Sequence, residues 1–113
     1  MRAHSLQVRI YLREDGTAPF EQWLETLPDR KGAAAIRARL ARVRLGNLGE
    51  FRAVSGGVAE LKVRYGPGYR IYFGRAGKHM VLLLGGGAKK TQIGDIRNAK
   101  ARWADFKRRA YAS

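Results

Sequence analysis

Glu60-Leu61-Lys62-Val63-Arg64-Tyr65-Gly66-Pro67-Gly68-Tyr69-Arg70-Ile71-Tyr72-Phe73 is the stretch on which the fold turns. Leu61, Val63, Ile71 and Phe73 alternate with Lys62, Arg64, Arg70 and Tyr72, and side chains two residues apart in a strand share a face. With Gly66-Pro67 as the break, the pattern predicts a β-hairpin of residues 58–65 and 68–74. The apolar four are expected in the core, and Lys62, Arg64, Arg70 and Tyr72 on a solvent-facing surface. A third strand, Lys78 to Leu84, follows the turn Arg75-Ala76-Gly77. Its continuous run Met80-Val81-Leu82-Leu83-Leu84 reads as a strand covered on both faces. Gly85-Gly86-Gly87 then precedes Lys89 and Lys90, where backbone is expected to approach a ligand closely.

Upstream, Gln7-Val8-Arg9-Ile10-Tyr11-Leu12-Arg13 alternates as a half-buried strand does, with Val8, Ile10 and Leu12 on the apolar side. Thr17 as N-cap and Pro19 in the first turn open an amphipathic helix with Phe20, Trp23, Leu24 and Leu27, ended by Pro28. Asp29 is the expected cap of the next helix, whose apolar set runs Ala33, Ile36, Leu40, Val43 and Leu45 to a stop at Gly46-Asn47. The two helices are expected to pair as a hairpin. Downstream, residues 91–109 return to helical spacing, with Ile93, Ile96, Ala99, Trp103 and Phe106 as the apolar stripe. Trp23 and Trp103 are read as core residues. The order β-α-α-β-β-β-α predicts a single-domain α+β sandwich: a mostly antiparallel four-stranded sheet flanked by an N-terminal helical hairpin and a C-terminal helix.

A chain of 113 residues fits one domain. It contains no cysteine, which removes disulfides and thiolate metal sites, and with His4 and His79 as the only histidines no metal or cofactor is expected. The segment Met1-Arg2-Ala3-His4-Ser5 shows neither a signal peptide nor a membrane span, so a cytoplasmic location is expected. The formal net charge of +14 is unevenly distributed. Residues 1–29 hold three arginines against five carboxylates, whereas the rest holds twenty cations against four. Such a field favours a polyanionic partner.

The glycine run lacks the spacing of a nucleotide-binding P-loop. There is no Ser/His/Asp set, carboxylate pair or zinc motif that would support peptide or glycoside hydrolysis. Tyr65, Tyr69 and Tyr72 offer aromatic faces for base stacking. Clustered cations and phenols suit one reaction in particular, the cleavage of RNA by its own 2′-hydroxyl. There the protein aligns the nucleophile and neutralises charge on the phosphorane.

The chain resembles the RelE/ParE superfamily of type II toxin–antitoxin toxins, and within it the HigB-like group often labelled addiction module killer protein. The resemblance rests on Phe20, Trp23 and Leu24; on Glu60-Leu61-Lys62; on Gly66-Pro67-Gly68 through Phe73; and on Gly85-Gly86 through Lys89, Thr91, Gln92, Asp95 and Ile96. It implies a RelE-like sandwich and ribosome-dependent cleavage of messenger RNA that inhibits translation. It also implies neutralisation by a cognate antitoxin, expected to be a helix-turn-helix, HigA-like protein. By position it assigns catalytic roles to Lys62, Arg64, Arg70 and Lys89 or Lys90; Tyr72 joins them as a catalytic candidate, and Tyr69, Gln92 and Arg97 are the expected RNA-binding residues. The tyrosine that RelE carries near its chain end is missing from Gln92-Ile93-Gly94-Asp95-Ile96, so Tyr72, Asp95 and His79, in that order, are the candidate bases. The competing readings are a ParE-like inhibitor of DNA gyrase without nuclease chemistry and a non-catalytic nucleic-acid-binding protein.

Overall fold

The computed structural model describes residues 5–112; His4 and the chain start inspected for a leader lie outside them. The elements are β1 (Gln7–Ile10), α1 (Pro19–Thr26), α2 (Arg30–Arg44), β2 (Phe51–Ser55), β3 (Val58–Val63), β4 (Tyr69–Ala76), β5 (Met80–Gly87), a 3₁₀ turn at Lys89–Thr91, and α3 (Gln92–Ala112). An α+β fold results, with a five-stranded sheet in the order β1-β5-β4-β3-β2. β1 runs parallel to β5 and every other neighbouring pair is antiparallel.

The expected four strands are therefore five. β2 escapes a periodicity reading because it is an edge strand, exposed along most of its length, with a bulge between Ala53 and Ser55. Without a buried face it has no apolar alternation to display. Its Phe51 nonetheless meets Phe73 at 5.9 Å between ring centroids.

The hairpin's odd-numbered face is packed as expected. Leu61, Val63, Ile71 and Phe73 lie in one core with Phe20 and Leu24 of α1 and Ile36, Leu40 and Val43 of α2. The even-numbered face is the correction. α3, about 30 Å long at 1.5 Å per residue, lies across it and builds a second core from Tyr11, Val58, Tyr72, Leu82, Leu84, Ala99 and Trp103. Tyr72 is thus 0% exposed and Arg70 only 7%, where a solvent face was predicted. The same cover reverses the reading of β1's end. Tyr11 is buried and donates its hydroxyl to Asp105 Oδ2 at 2.6 Å, while Leu12 is exposed.

Asp29 caps α2 by accepting from the Gly32 amide at 2.9 Å, as expected. Thr17 does not cap α1, whose N-cap is Ala18; its hydroxyl donates instead to Asp15 Oδ1 at 2.6 Å. Ile93 leaves the predicted stripe and is exposed, because Gln92 and Asp95 turn the first turn of α3 toward the sheet. Leu45 is exposed as well. The glycines of β5 make room for the protein's own side chains. A Cβ at Gly86 would strike the Trp23 ring, and one at Gly87 would strike the Asp95 carboxylate.

Candidate functional site

Strand register sets the site. Across the α3 face, Arg52 stands opposite Glu60, Glu60 opposite Tyr72, and Tyr72 opposite Gly85; one step along, Lys62 stands opposite Arg70 and Arg70 opposite Gly87. Opposed side chains in such pairs are within reach of each other. Glu60, 4% exposed, lies at the centre. Its Oε1 accepts from Arg52 Nε at 2.9 Å and its Oε2 from Gln92 Nε2 at 2.7 Å, with Arg70 Nε 3.7 Å from Oε1. Arg70 spends Nη1 on the Gly68 carbonyl at 2.8 Å.

Two buried polar atoms in this cluster, Arg70 Nε and the Tyr72 hydroxyl, make no hydrogen bond of ordinary geometry, although Tyr72 lies beside Glu60. Buried polar groups are nearly always hydrogen-bonded, so a guanidinium nitrogen left with only a long ion pair to Glu60 needs an explanation. Arg70 lines a cleft of about 240 Å³ with Glu50, Phe51, Arg52, Glu60, Lys62 and Gln92. An anionic oxygen entering that cleft would find Arg70 prepositioned and Lys62 without an ion pair among the described residues.

Burial raises the proton affinity of Glu60, but hydrogen bonds from Arg52 and Gln92 and the charges of Arg52 and Arg70 outweigh it, holding the carboxyl below its ordinary range. Burial first, and then the negative charges of Glu60 and Asp95, push the Tyr72 phenol far above its ordinary value. Of the two, Glu60 is the one ionised near neutral pH. The depressed carboxyl contributes stability that is complete above the ordinary glutamate pKa of about 4.3. That contribution is lost as pH falls through the lower folded value. Unfolding midpoints measured against pH are expected to drop through this acid range, and Glu60→Gln to shallow the drop, with Asp15, Asp29, Glu50 and Asp105, whose carboxyls are also held low, supplying the remainder.

Of the residues proposed from sequence, Lys62, Arg70, Tyr72 and Gln92 converge here. Arg64, just past β3, is exposed and pairs with Glu50 at 2.5 Å. Lys89 and Lys90 sit apart on the 3₁₀ turn, beside an apolar groove of about 840 Å³ lined by Leu27, Pro28, Pro67, Tyr69 and Ala88. Tyr69 belongs to the helix-covered face: it is buried, meets Trp23 edge-on, and donates to Asp29 at 2.7 Å, which pushes its phenol up to about 12. Tyr69 and Tyr72 are therefore closed to base stacking, and Tyr65 alone of the three tyrosines is exposed. Arg97 and His79 are exposed, and Asp95 is half-buried, accepting from Thr91 Oγ1 at 2.6 Å.

Sequence reading gave no chemical role to Glu60 or Arg52. One signal pointed to Glu60: with four carboxylates among residues 30–113, each is a prospective counter-ion, and Glu60 shares the parity of Lys62. Arg39 of α2 is 6% exposed. It donates to the Lys62 carbonyl at 3.4 Å, to the Glu50 carbonyl at 3.2 Å and to the Leu48 carbonyl, fixing the loop before β2 against β3.

Fold and site together define an α+β protein with a mixed five-stranded sheet and a cationic cleft organised around one buried carboxylate. No family model matches the chain. A protein of Haemophilus influenzae described as an uncharacterized protein is 40% identical over 84 residues, which span 74% of this chain and 85% of that protein. The chain belongs to the same family as this Haemophilus protein. Among the described residues, no helix is long and apolar enough to cross a membrane, and no group of three or more His, Cys, Asp or Glu side chains is placed to hold a metal ion.

Proposed function

We propose that this protein is a toxin of a type II toxin–antitoxin system, of the RelE/ParE superfamily and its HigB-like group, acting as a metal-independent endoribonuclease on ribosome-bound messenger RNA. The observation that carries the proposal is the buried Arg70 guanidinium, whose Nε makes no hydrogen bond and only a long ion pair to Glu60, in a cleft beside that ionised carboxylate. In-line attack needs a proton acceptor at the 2′-hydroxyl and cations at the phosphate, and this cleft offers both. Glu60 accepts the 2′-hydroxyl proton and the 2′ oxygen bonds to phosphorus. The bond from phosphorus to the 5′ oxygen breaks, and that oxygen takes a proton from solvent. The products are a 2′,3′-cyclic phosphate and a 5′-hydroxyl, and Glu60 returns its proton to solvent. Arg52, Lys62 and Arg70 stabilise the charge on the phosphorane. The side chain of Arg52, 62% exposed, is free to swing from Glu60 toward a phosphate. DNA lacks the attacking hydroxyl and is not a substrate.

This reading moves the base from Tyr72 to Glu60. Tyr72→Phe removes a buried hydroxyl that makes no hydrogen bond of ordinary geometry, so it is expected to leave stability within about 1 kcal/mol of the parent's and to retain cleavage. Loss of cleavage by a folded Tyr72→Phe protein would return the proton-transfer role to the phenol. The function itself is tested by induced expression in a bacterial host, with pulse labels for protein and DNA synthesis and mapping of messenger RNA 5′ ends. Prompt loss of protein synthesis with new ends within coding sequences is expected. Loss of DNA synthesis with intact messages would replace the proposal with a gyrase inhibitor, and no effect on either would leave a basic binding protein.

A further inference from the structure

A second cleft of about 420 Å³ opens at the sheet edge between α2 and the end of β3. Its cations are Arg39, Arg42, Lys62 and Arg64, and Glu50 is its one carboxylate. Lys62 and Glu50 also line the cleft that holds Arg70, so the two cavities meet at these side chains. Residues two apart on a strand stand about 7 Å from each other, close to the phosphate repeat of an extended polynucleotide. Lys62 and Arg64 are two apart, and Lys62 stands opposite Arg70. The floor is rigid because the buried Arg39 ties the carbonyls of Leu48 and Glu50 to β3, and a Cβ at Gly49 would strike the Arg39 guanidinium.

Glu50 occupies this path. Its carboxylate is bonded by Arg64 at 2.5 Å, and the positive charges of Arg64, Lys62 and Arg39 all bear on it. Both side chains of the pair are more than half exposed, and exposed pairs of this kind are weak enough to exchange partners. We infer that the cleft of Arg42, Lys62 and Arg64 is a second phosphate subsite, holding the nucleic-acid strand next to the Arg70 cluster, and that the Glu50 carboxylate is an internal stand-in for phosphate which the strand displaces. The inference rests on the nucleolytic reading of the Arg70 cluster and adds to it the length of strand bound and the residue that tunes its affinity.

Binding without cleavage tests it, using single-stranded 2′-O-methyl oligoribonucleotides, one dinucleotide and one hexanucleotide, followed by fluorescence anisotropy across a salt series. Arg42→Ala is expected to weaken the hexanucleotide several-fold, to lower its logarithmic salt slope by about 0.7, the value of one phosphate contact on a single strand, and to leave the dinucleotide unchanged. Glu50→Gln is expected to tighten the hexanucleotide several-fold. Arg52→Ala, confined to the first cleft, is expected to weaken both lengths. Unchanged hexanucleotide binding in Arg42→Ala, or none of the tightening in Glu50→Gln, overturns the subsite while the Arg52 effect leaves the nucleolytic cluster standing. An Arg52→Ala protein that binds both lengths like the parent counts against that cluster as well. A hexaglutamate peptide that binds as tightly as the hexanucleotide, and loses its grip in Arg42→Ala, would assign the cleft to an acidic protein segment and overturn the nucleic-acid assignment.

Discussion

Arg70→Ala is expected to lower the rate of RNA cleavage by about 10²- to 10³-fold, the loss that follows removal of one preorganised donor to a developing oxyanion. It is also expected to destabilise the protein by about 1–3 kcal/mol. Both effects come from the same placement. Arg70 is 7% exposed, it satisfies the Gly68 carbonyl, and it faces Glu60 across 3.7 Å. Taking it away strands a carbonyl and removes one of the cations that hold Glu60 ionised. Arg70→Lys separates the contributions. A lysine restores charge beside Glu60 but not the planar fork that reaches carbonyl and phosphate together, so stability should recover more than rate. The measurements are single-turnover cleavage of ribosome-bound message and the denaturant midpoint of each variant. A folded Arg70→Ala protein that cuts at the parental rate would remove Arg70 from the mechanism.

Trp103→Ala is expected to cost about 3–5 kcal/mol, the range for truncating a large buried aromatic side chain. Trp103 is 6% exposed and stacks on Phe106 at 5.6 Å with 12° between the rings. Its indole fills space that Gly57 and Gly74 leave open; a Cβ at either would collide with it. Filling that space from the sheet side, with Gly74→Ala, is expected to cost about 1–3 kcal/mol by overpacking. A lower denaturant midpoint with an unchanged slope would register both losses. The consequence extends to the site, because α3 also carries Gln92, whose amide holds Glu60 Oε2. A Trp103→Ala midpoint close to the parent's would show that α3 is held to the sheet by its other contacts.

Legible in the sequence were the α+β class, four of the five strands, all three helices, the Asp29 cap, and the core formed by Leu61, Val63, Ile71 and Phe73. These are local matters: periods of two and 3.6, a capping side chain and glycine-containing turns, each legible within a few residues. It also determined the cationic character of the surface, since charge adds without regard to fold. Of the proposed cluster, Lys62, Arg70, Tyr72 and Gln92 were named beforehand, although the face they share was taken for open surface. What only the tertiary structure decided is what covers that face and what faces what across it. Alternation in β3 and β4 says that two sides differ, but not that α3 closes one of them. A 21-residue helix with a polar first turn makes Tyr72 core and Arg70 a buried charge. Register, which brings Arg52, Glu60 and Tyr72 into one row, depends on pairing between separate segments and leaves no trace in the spacing of any one of them. The same holds for β2, an exposed edge held by backbone pairing with β3, and for Arg39, whose burial follows from where the carbonyls of a distant loop come to rest.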